Sequence, residues 1–147
     1  MSSQLIQKVN AHLRNKGYRQ SLLRDNLISI LDLSDEPISV LEILKQLSIL
    51  KITPNKTSVY RELETLLKNE IITELDFGER KKRYELTNEN SRAYFICEKC
   101  DTIAYSKLNV TIESWLASFS SQNNFQTKDF KLQFYGLCSK CSDSNQN

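Results

Sequence analysis

The sequence predicts an α+β protein in which an N-terminal winged helix-turn-helix precedes a smaller α/β unit. Three observations lead to this class. Apolar residues recur at helical spacing through the first half of the chain, and two short runs rich in branched and aromatic residues follow them. All four cysteines lie after residue 96, in two Cys-x-x-Cys pairs. The chain of 147 residues has room for one domain or two small ones.

Composition and charge restrict the class of protein. Apolar residues make up 39% of the chain and charged residues 26%, as in ordinary globular proteins. The net charge of +2 is spread evenly, with +1 in residues 1–90 and +1 in 91–147, so any basic surface must be local. Neither a secretion signal nor an apolar run long enough to span a bilayer is evident. We therefore expect a cytoplasmic protein without a membrane partner.

The first two helices are predicted over residues 3–16 and 20–33. Gly17 can end the first one, because glycine readily adopts the left-handed conformation that stops a helix. The second shows apolar residues at helical spacing, namely Leu22, Leu23, Leu27, Ile30 and Leu31.

Two further helices have clear start signals. Ser39 and Glu42 form a capping-box pattern that opens a helix over residues 39–47. Thr53 followed by Pro54 resembles a hydroxyl N-cap with proline at the first helical position, which predicts a helix over 54–69.

A hairpin is predicted next, from strand-like runs at 71–77 and 83–87 with Gly78 in the connecting turn. Three helices followed by a hairpin is the element order of a winged helix-turn-helix. The polar stretch 87–91 is the candidate boundary, so we expect a first domain over 1–87.

The second unit reads as strand, strand, helix and strand. Its strands are predicted at 93–97, at 102–105 and around the alternating Phe130, Leu132 and Phe134. A helical stripe between them includes Trp115 and Phe119. We expect a domain over 92–141 and a flexible tail over 142–147. Units of this size commonly need a metal or a partner subunit to be stable.

The cysteines supply such a metal site. Cys97 and Cys100 are separated by 37 residues from Cys138 and Cys141. Two such pairs provide four thiolates for one tetrahedral Zn²⁺. Two disulfides are disfavoured in a reducing cytoplasm, and two redox motifs in one small unit would be unusual. Because four protein ligands leave no position for substrate, we expect one structural zinc per chain.

Polar residues on the fourth helix suggest contact with DNA, since their side chains can reach phosphates and base edges from the major groove. The competing interpretation is an amphipathic helix with a solvated face. Basic residues at the start of the second helix and at the hairpin tip can contact phosphates. The predicted DNA-contacting residues are Thr57, Ser58, Tyr60 and Arg61 on the helix, Lys16, Arg19 and Arg24 near Gly17, and Arg80, Lys81 and Lys82 at the tip.

The chain resembles the ferric uptake regulator family of bacterial metal-responsive transcription factors along nearly its whole length. The segments that carry the resemblance are GYRQSLLRDNLISIL, PISVLEILKQL, TSVYRELETLLKNEIITELDFGERKKRYEL, ICEKC and FYGLCSKC. The resemblance implies a homodimer built from a winged-helix DNA-binding domain and a small α/β dimerisation domain with a four-cysteine zinc site. It also implies double-stranded DNA with an AT-rich inverted repeat as the partner, and it assigns DNA contacts to Tyr60 and Arg61.

One part of the family pattern is missing. Members usually hold a regulatory metal with histidines, but two of the matching positions are Arg92 and Tyr94, and an acidic ligand position is Tyr105. The upstream histidine position falls around residues 36–37, and a histidine typical of the zinc uptake regulator branch is replaced by Asn90. Glu85 alone matches, and one carboxylate does not make a specific site. We therefore predict a degenerate or absent regulatory site. One hypothesis is that the Arg92 guanidinium stands where a cation would sit and locks the hinge without metal; the competing interpretation, which the sequence favours, is an exposed and solvated arginine.

These observations predict a transcriptional regulator, most simply a repressor. An enzyme is not expected, because the sequence lacks an evident set of catalytic groups. It has one histidine, a predicted metal site without an open position and no glycine-rich phosphate loop. Two alternatives stay open: an interaction module that forms mixed dimers without binding DNA, and a thiol redox switch at the four cysteines.

Overall fold

The computed structural model describes residues 2–78, 80–87, 92–108, 112–128 and 130–143. The chain divides into two compact units, Met1–Thr87 and Asn88–Asn147. Across the described ranges, none of the helices combines the length and the apolar character needed to cross a membrane.

The first unit has the element order predicted for a winged helix-turn-helix. Its helices are α1 (Ser2–Asn15), α2 (Leu22–Leu33), α3 (Val40–Ile49) and α4 (Lys56–Lys68). Its strands are β1 (Ile38–Ser39), β2 (Ile72–Leu75) and β3 (Arg83–Leu86), which form an antiparallel sheet in the order β1-β3-β2. The sequence did not predict β1, a two-residue strand that pairs with the hairpin.

Most helix boundaries follow from the local signals in the sequence. Gly17 has φ of +86°, the left-handed conformation expected after α1. The Ser21 hydroxyl caps α2, so this helix begins at residue 22 instead of 20. The capping box is confirmed: the Ser39 amide donates to Glu42 Oε2 at 2.7 Å, and the Glu42 amide donates to Ser39 Oγ at 3.4 Å.

The predicted start of α4 is wrong by two residues. Thr53 is not the N-cap and Pro54 is not the first helical residue, because the cap is Asn55. Its side-chain oxygen accepts a hydrogen bond from the Ser58 amide at 2.7 Å. Asparagine is the stronger N-cap, and its position just after the proline moves the start of the helix to Lys56.

The predicted hairpin is confirmed. In β2 and β3, Ile72 lies opposite Leu86 and Glu74 opposite Tyr84. Gly78 has φ of +79°, and its amide donates to the Asp76 carboxylate at 2.9 Å. Buried apolar side chains from all four helices and the sheet form one core, which includes Leu13, Leu27, Ile43, Leu47, Val59, Leu63, Leu66, Ile72 and Tyr84.

The second unit has the predicted order of strand, strand, helix and strand. Its elements are β4 (Arg92–Cys97), β5 (Ile103–Lys107), α5 (Ile112–Asn123), β6 (Leu132–Gly136) and a short α6 (Ser139–Asp143). The sheet order is β5-β4-β6, with β5 antiparallel and β6 parallel to β4. The sequence did not predict α6, which takes up the first two residues of the expected tail. Residues 144–147 lie outside the described residues.

The core of the second unit is small. The buried apolar and cysteine side chains described there are Ala93, Tyr94, Ile96, Cys97, Ile103 and Cys141. Several aromatic side chains remain exposed, and the rings of Phe95 and Phe134 stack with their centroids 5.1 Å apart.

Candidate metal centre and nucleic-acid interface

The sheet of the second unit brings the two cysteine pairs to one edge. Because β4 and β6 are parallel, their carboxyl ends coincide, and Cys97 at the end of β4 lies beside Gly136 at the end of β6. Two tight turns then fold the chain back. The Asp101 amide donates to the Cys97 carbonyl at 2.9 Å, and the Ser142 amide donates to the Cys138 carbonyl at 2.8 Å. The second cysteine of each pair thereby returns towards the first.

The four sulfur atoms fit a single tetrahedral ion. All four Sγ atoms lie within 4.8 Å of one another, and those of Cys100 and Cys138 are 3.7 Å apart. A tetrahedron with Zn–S bonds of about 2.3 Å has S···S edges of about 3.8 Å, whereas a disulfide bond is about 2.05 Å long. All four cysteines are free. In the described ranges, this is the single group of three or more cysteine, histidine or acidic side chains with ligand atoms close enough for a metal.

The surroundings give the thiols different acidities. Backbone N–H groups, foremost that of Cys138 at 3.4 Å, donate to Cys97 Sγ and lower the pKa of this thiol to about 6. The Thr102 hydroxyl, 3.1 Å from Cys100 Sγ, lowers the pKa of that thiol as well. The Cys138 thiol and burial raise the pKa of Cys141 to about 12. Four thiolates this close repel one another, so a divalent cation favours full ionisation of the set.

Four protein ligands complete a tetrahedron and leave no site for water or substrate, so the arrangement suits a structural ion. Such an ion joins the end of β4 to the segment after β6. The links to Cys138 and Cys141 also fix α6, which begins at Ser139.

Helix α4 separates its residues by environment. Val59, Leu63 and Leu66 are buried in the core. Three of the four residues predicted to contact DNA are exposed: Thr57, Arg61 and Tyr60, whose exposed fraction is 45%. The fourth, Ser58, is half-buried beneath the Asn55 cap.

The other predicted contacts lie on two exposed segments of the first unit. Lys16 and Arg19 are exposed in the loop before α2. Arg80, Lys81 and Lys82 are exposed in the hairpin turn, where Lys82 forms an ion pair with Glu74. The hairpin turn therefore carries local positive charge although the net charge of the chain is small.

The burial of Arg24 conflicts with a role as an exposed contact. This residue is 5% exposed, and its Nε donates to Glu62 Oε2 at 2.8 Å. A direct phosphate contact would require this ion pair to open. The sequence alone did not distinguish Arg24 from Arg19, because the partner that buries it is 38 residues away.

Sequence reasoning also missed Lys56. Its ammonium lies 5.9 Å from the centroid of the Tyr60 ring, one turn further along α4. A lysine four residues before an exposed tyrosine on a predicted helix was the available signal, because residues i and i+4 share a face. Lys56 thus adds positive charge beside Tyr60.

The structure brings together Arg92 and Tyr105, two of the positions matched to metal ligands. The Arg92 guanidinium lies 4.6 Å from the centroid of the Tyr105 ring, across the β4–β5 pair. Tyr94 is buried opposite Tyr105 in the sheet register. Glu85 is half-buried in the first unit, and Asn90 lies outside the described residues.

Comparison with known proteins gives consistent matches. The ferric uptake regulator family matches residues 15–135. The ferric uptake regulation protein of Campylobacter jejuni is 29% identical over 142 residues, which cover 95% of this chain and 89% of that protein.

Two solved structures share the fold. The Helicobacter pylori ferric uptake regulator has a TM-score of 0.81 at 20% identity, covering 97% of this chain and 94% of that chain. A zinc uptake regulator complexed with zinc and DNA has a TM-score of 0.63 at 18% identity, covering 100% and 99%. The family match and the fold together show that the chain belongs to the ferric uptake regulator family of transcriptional regulators.

Proposed function

We propose that the protein is a cytoplasmic, dimeric, sequence-specific DNA-binding repressor with one structural Zn²⁺ per chain and no histidine-based regulatory metal site. The observation that carries the proposal is α4, which exposes Tyr60 and Arg61 while Val59, Leu63 and Leu66 anchor its other face in the core. A related zinc uptake regulator is known in complex with zinc and DNA, which supports the same partners here.

In this proposal α4 lies in the major groove, where Arg61 and Tyr60 contact base edges and phosphates. Lys16 and Arg19 contact the flanking backbone, and the hairpin turn lies along phosphates or the minor groove. One helix reads a few base pairs, so useful affinity needs a dimer and two half-sites about one helical turn apart. We expect the half-sites to form an AT-rich inverted repeat.

Selection of duplexes from a randomised library by the purified protein tests sequence-specific binding. With the selected duplex, Arg61→Ala should cost about 1–3 kcal/mol and relax the preference at the contacted position. Lys81→Ala should weaken binding to all sequences. It should also lower the number of counterions released on binding by about one, which is measured as a shallower slope of log K against log salt concentration. Failure of the wild type to enrich any sequence would contradict the proposal and favour an interaction module that forms mixed dimers.

A homodimer is supported by the exposed apolar surface of the second unit. Phe95, Phe134, Tyr135 and Leu137 are each between 46% and 53% exposed. Apolar patches of this kind mark interfaces more often than solvated surface. Sedimentation velocity of the zinc-loaded protein should show a dimer at micromolar concentration, and a monomer under those conditions would contradict it.

We propose that the stacked pair of Arg92 and Tyr105 replaces a regulatory metal with a permanent cation. The ring–guanidinium distance of 4.6 Å suits a cation–π interaction. Accordingly, Fe²⁺, Mn²⁺ or additional Zn²⁺ should not change the DNA affinity of the zinc-loaded protein, whereas Arg92→Ala should weaken it. Lys107→Ala is the control, because Lys107 is the exposed register partner of Arg92. A metal-dependent affinity of the wild type would contradict this part of the proposal.

A thiol redox switch is a second candidate, favoured by the exposure of Cys100 at an otherwise partly buried centre. An oxidant can reach this sulfur, and oxidation of a ligand thiolate expels zinc. Peroxide should then release zinc and dissociate the dimer together. Retention of both after treatment would remove this candidate.

A further inference from the structure

An ion pair between a buried arginine and a partly buried glutamate joins the start of α2 to the middle of α4. The Arg24 side chain is 6% exposed and that of Glu62 is 18% exposed. Glu62 accepts two hydrogen bonds, one from Arg24 Nε in α2 and one from the hydroxyl of Ser21, the N-cap of α2, each at 2.8 Å. Ser21 Oγ also accepts a hydrogen bond from the Arg24 backbone amide at 3.3 Å and so caps α2. The three side chains form one connected set, which we call the Arg24 network.

The same arginine reaches the loop before α2. Its Nη1 donates to the Arg19 carbonyl at 2.9 Å, and its Cζ lies 6.0 Å from the centroid of the Tyr18 ring. The network therefore contacts both segments that we propose to bind DNA: the loop with Lys16 and Arg19, and the helix with Tyr60 and Arg61.

Stability does not explain such a pair well. Replacing a buried ion pair with apolar side chains is often neutral or stabilising, because desolvation offsets the attraction between the charges. A carboxylate next to Arg61 also adds negative charge to a helix that is proposed to approach phosphates, which disfavours binding to any DNA. What the pair does provide is geometry, since a guanidinium fork fixes both the distance and the direction of its partners.

We propose that Arg24, Ser21 and Glu62 are positioning residues that hold the loop before α2 and helix α4 in the one relative orientation in which both reach the same stretch of DNA. This inference rests on the proposed DNA-binding function. It assigns Arg24 an internal role in recognition in place of the direct contact expected from the sequence.

The variant Glu62→Gln tests the inference, because electrostatics and positioning predict opposite effects. The side chain keeps its size and shape, so the fold should be retained. The amide has only one acceptor oxygen, however, so it cannot accept from both Arg24 Nε and the Ser21 hydroxyl as the carboxylate does, and the charge is lost. Electrostatics alone would raise affinity for every duplex. Positioning predicts that affinity for the library-selected duplex falls about tenfold, as expected for loss of a coupled network, while affinity for a scrambled duplex does not fall.

The matched control is Glu64→Gln, which removes the same charge from the same helix. Glu64 is 64% exposed and pairs with Lys68 on the surface. The Glu64→Gln variant should keep the wild-type ratio between the affinity for the selected duplex and the affinity for the scrambled duplex. Arg24→Lys keeps the positive charge but loses the fork, so its ratio should fall as in Glu62→Gln. Equal ratios in Glu62→Gln and Glu64→Gln would overturn the inference.

Hydrogen exchange separates this inference from the proposed function. In Glu62→Gln, amides in residues 16–21 should exchange faster although the substitution lies on α4, while those of α3 should be unchanged. Exchange in 16–21 equal to the wild type would also overturn the positioning role. A wild type that selects no duplex would remove the DNA-binding proposal, while faster exchange would still show that the network orients the two segments.

Discussion

The two units of the chain differ in how much apolar surface each buries. In the first, a cluster of 14 buried residues links four helices and a sheet, and most of its exposed apolar side chains are single residues near helix ends. In the second, the buried set described is small and includes Cys97 and Cys141, while Phe95, Trp115 and Phe134 stay exposed. Apolar burial can stabilise the first unit alone, whereas we expect the second to depend on the proposed metal ligation and a partner surface.

Loss of the proposed metal ion should show most clearly how the two units differ in stability. Cys141→Ser replaces a buried candidate ligand and should abolish zinc binding, unfold the second unit and dissociate the dimer, because the free energy of structural zinc binding contributes directly to the folding of small domains. Zinc content, sedimentation and calorimetry measure these effects. The first unit should keep its own thermal transition.

Ser139→Ala is the matched control for this substitution, since Ser139 lies between Cys138 and Cys141 and is exposed. Its zinc content should equal that of the wild type. A Cys141→Ser protein that retains a folded second unit and a dimer would show that the unit does not need the ion.

Truncation of a core side chain in the first unit should have the opposite effect: it should destabilise the first unit and not the second. Leu47 is fully buried on α3, and Leu47→Ala should destabilise the first unit by about 2–5 kcal/mol through lost burial and the cavity left behind. Leu41→Ala on the same helix is the control, because Leu41 is 62% exposed and should change stability by less than about 0.5 kcal/mol. Denaturant titration of the helical signal measures both, and equal effects would contradict the burial argument.

The stacked pair Phe95 and Phe134 should matter for association more than for folding. Phe134→Ser should weaken the dimer by about 2 kcal/mol, the size typical of a central aromatic interface residue. Leu33→Ser removes a side chain that is 79% exposed in the first unit and should leave the dimer unchanged. Sedimentation equilibrium compares the two; a dimer insensitive to Phe134→Ser would place the interface elsewhere.

The difference between the units also explains what the sequence predicted well. Each Cys-x-x-Cys pair and the hairpin at Gly78 depend on local spacing and backbone conformation, so both were evident without a structure. The two pairs share one site because β4 and β6 are parallel neighbours. The start of α4 was misplaced because two neighbouring start signals competed and Asn55 prevailed over Thr53.

Other features depend on contacts between distant parts of the chain and left no local signal. The burial of Arg24 requires Glu62, and the strand β1 exists because Ile38 pairs with Tyr84 of the hairpin. The contact of Arg92 with Tyr105 likewise depends on the β4–β5 register. Periodicity identifies a helix face, but it does not tell which distant side chain covers it.

The smallest expected effect concerns the capping box of α3. Ser39→Ala should lower the free energy of unfolding by about 1 kcal/mol, the usual value of an N-cap.

Burial raises the pKa of Glu42, but hydrogen bonds from Ser39 and the positive charge of Arg83 outweigh it, so the net pKa is lowered. A lowered folded-state pKa means that the ionised carboxylate stabilises the fold above its unfolded pKa and that this stability is lost as pH falls through the folded value. The difference between wild type and Glu42→Gln should therefore be full at neutral pH and shrink in acid below the usual glutamate range, as measured by denaturant titration. A difference that stays constant into strong acid would show that the Glu42 charge does not support the cap.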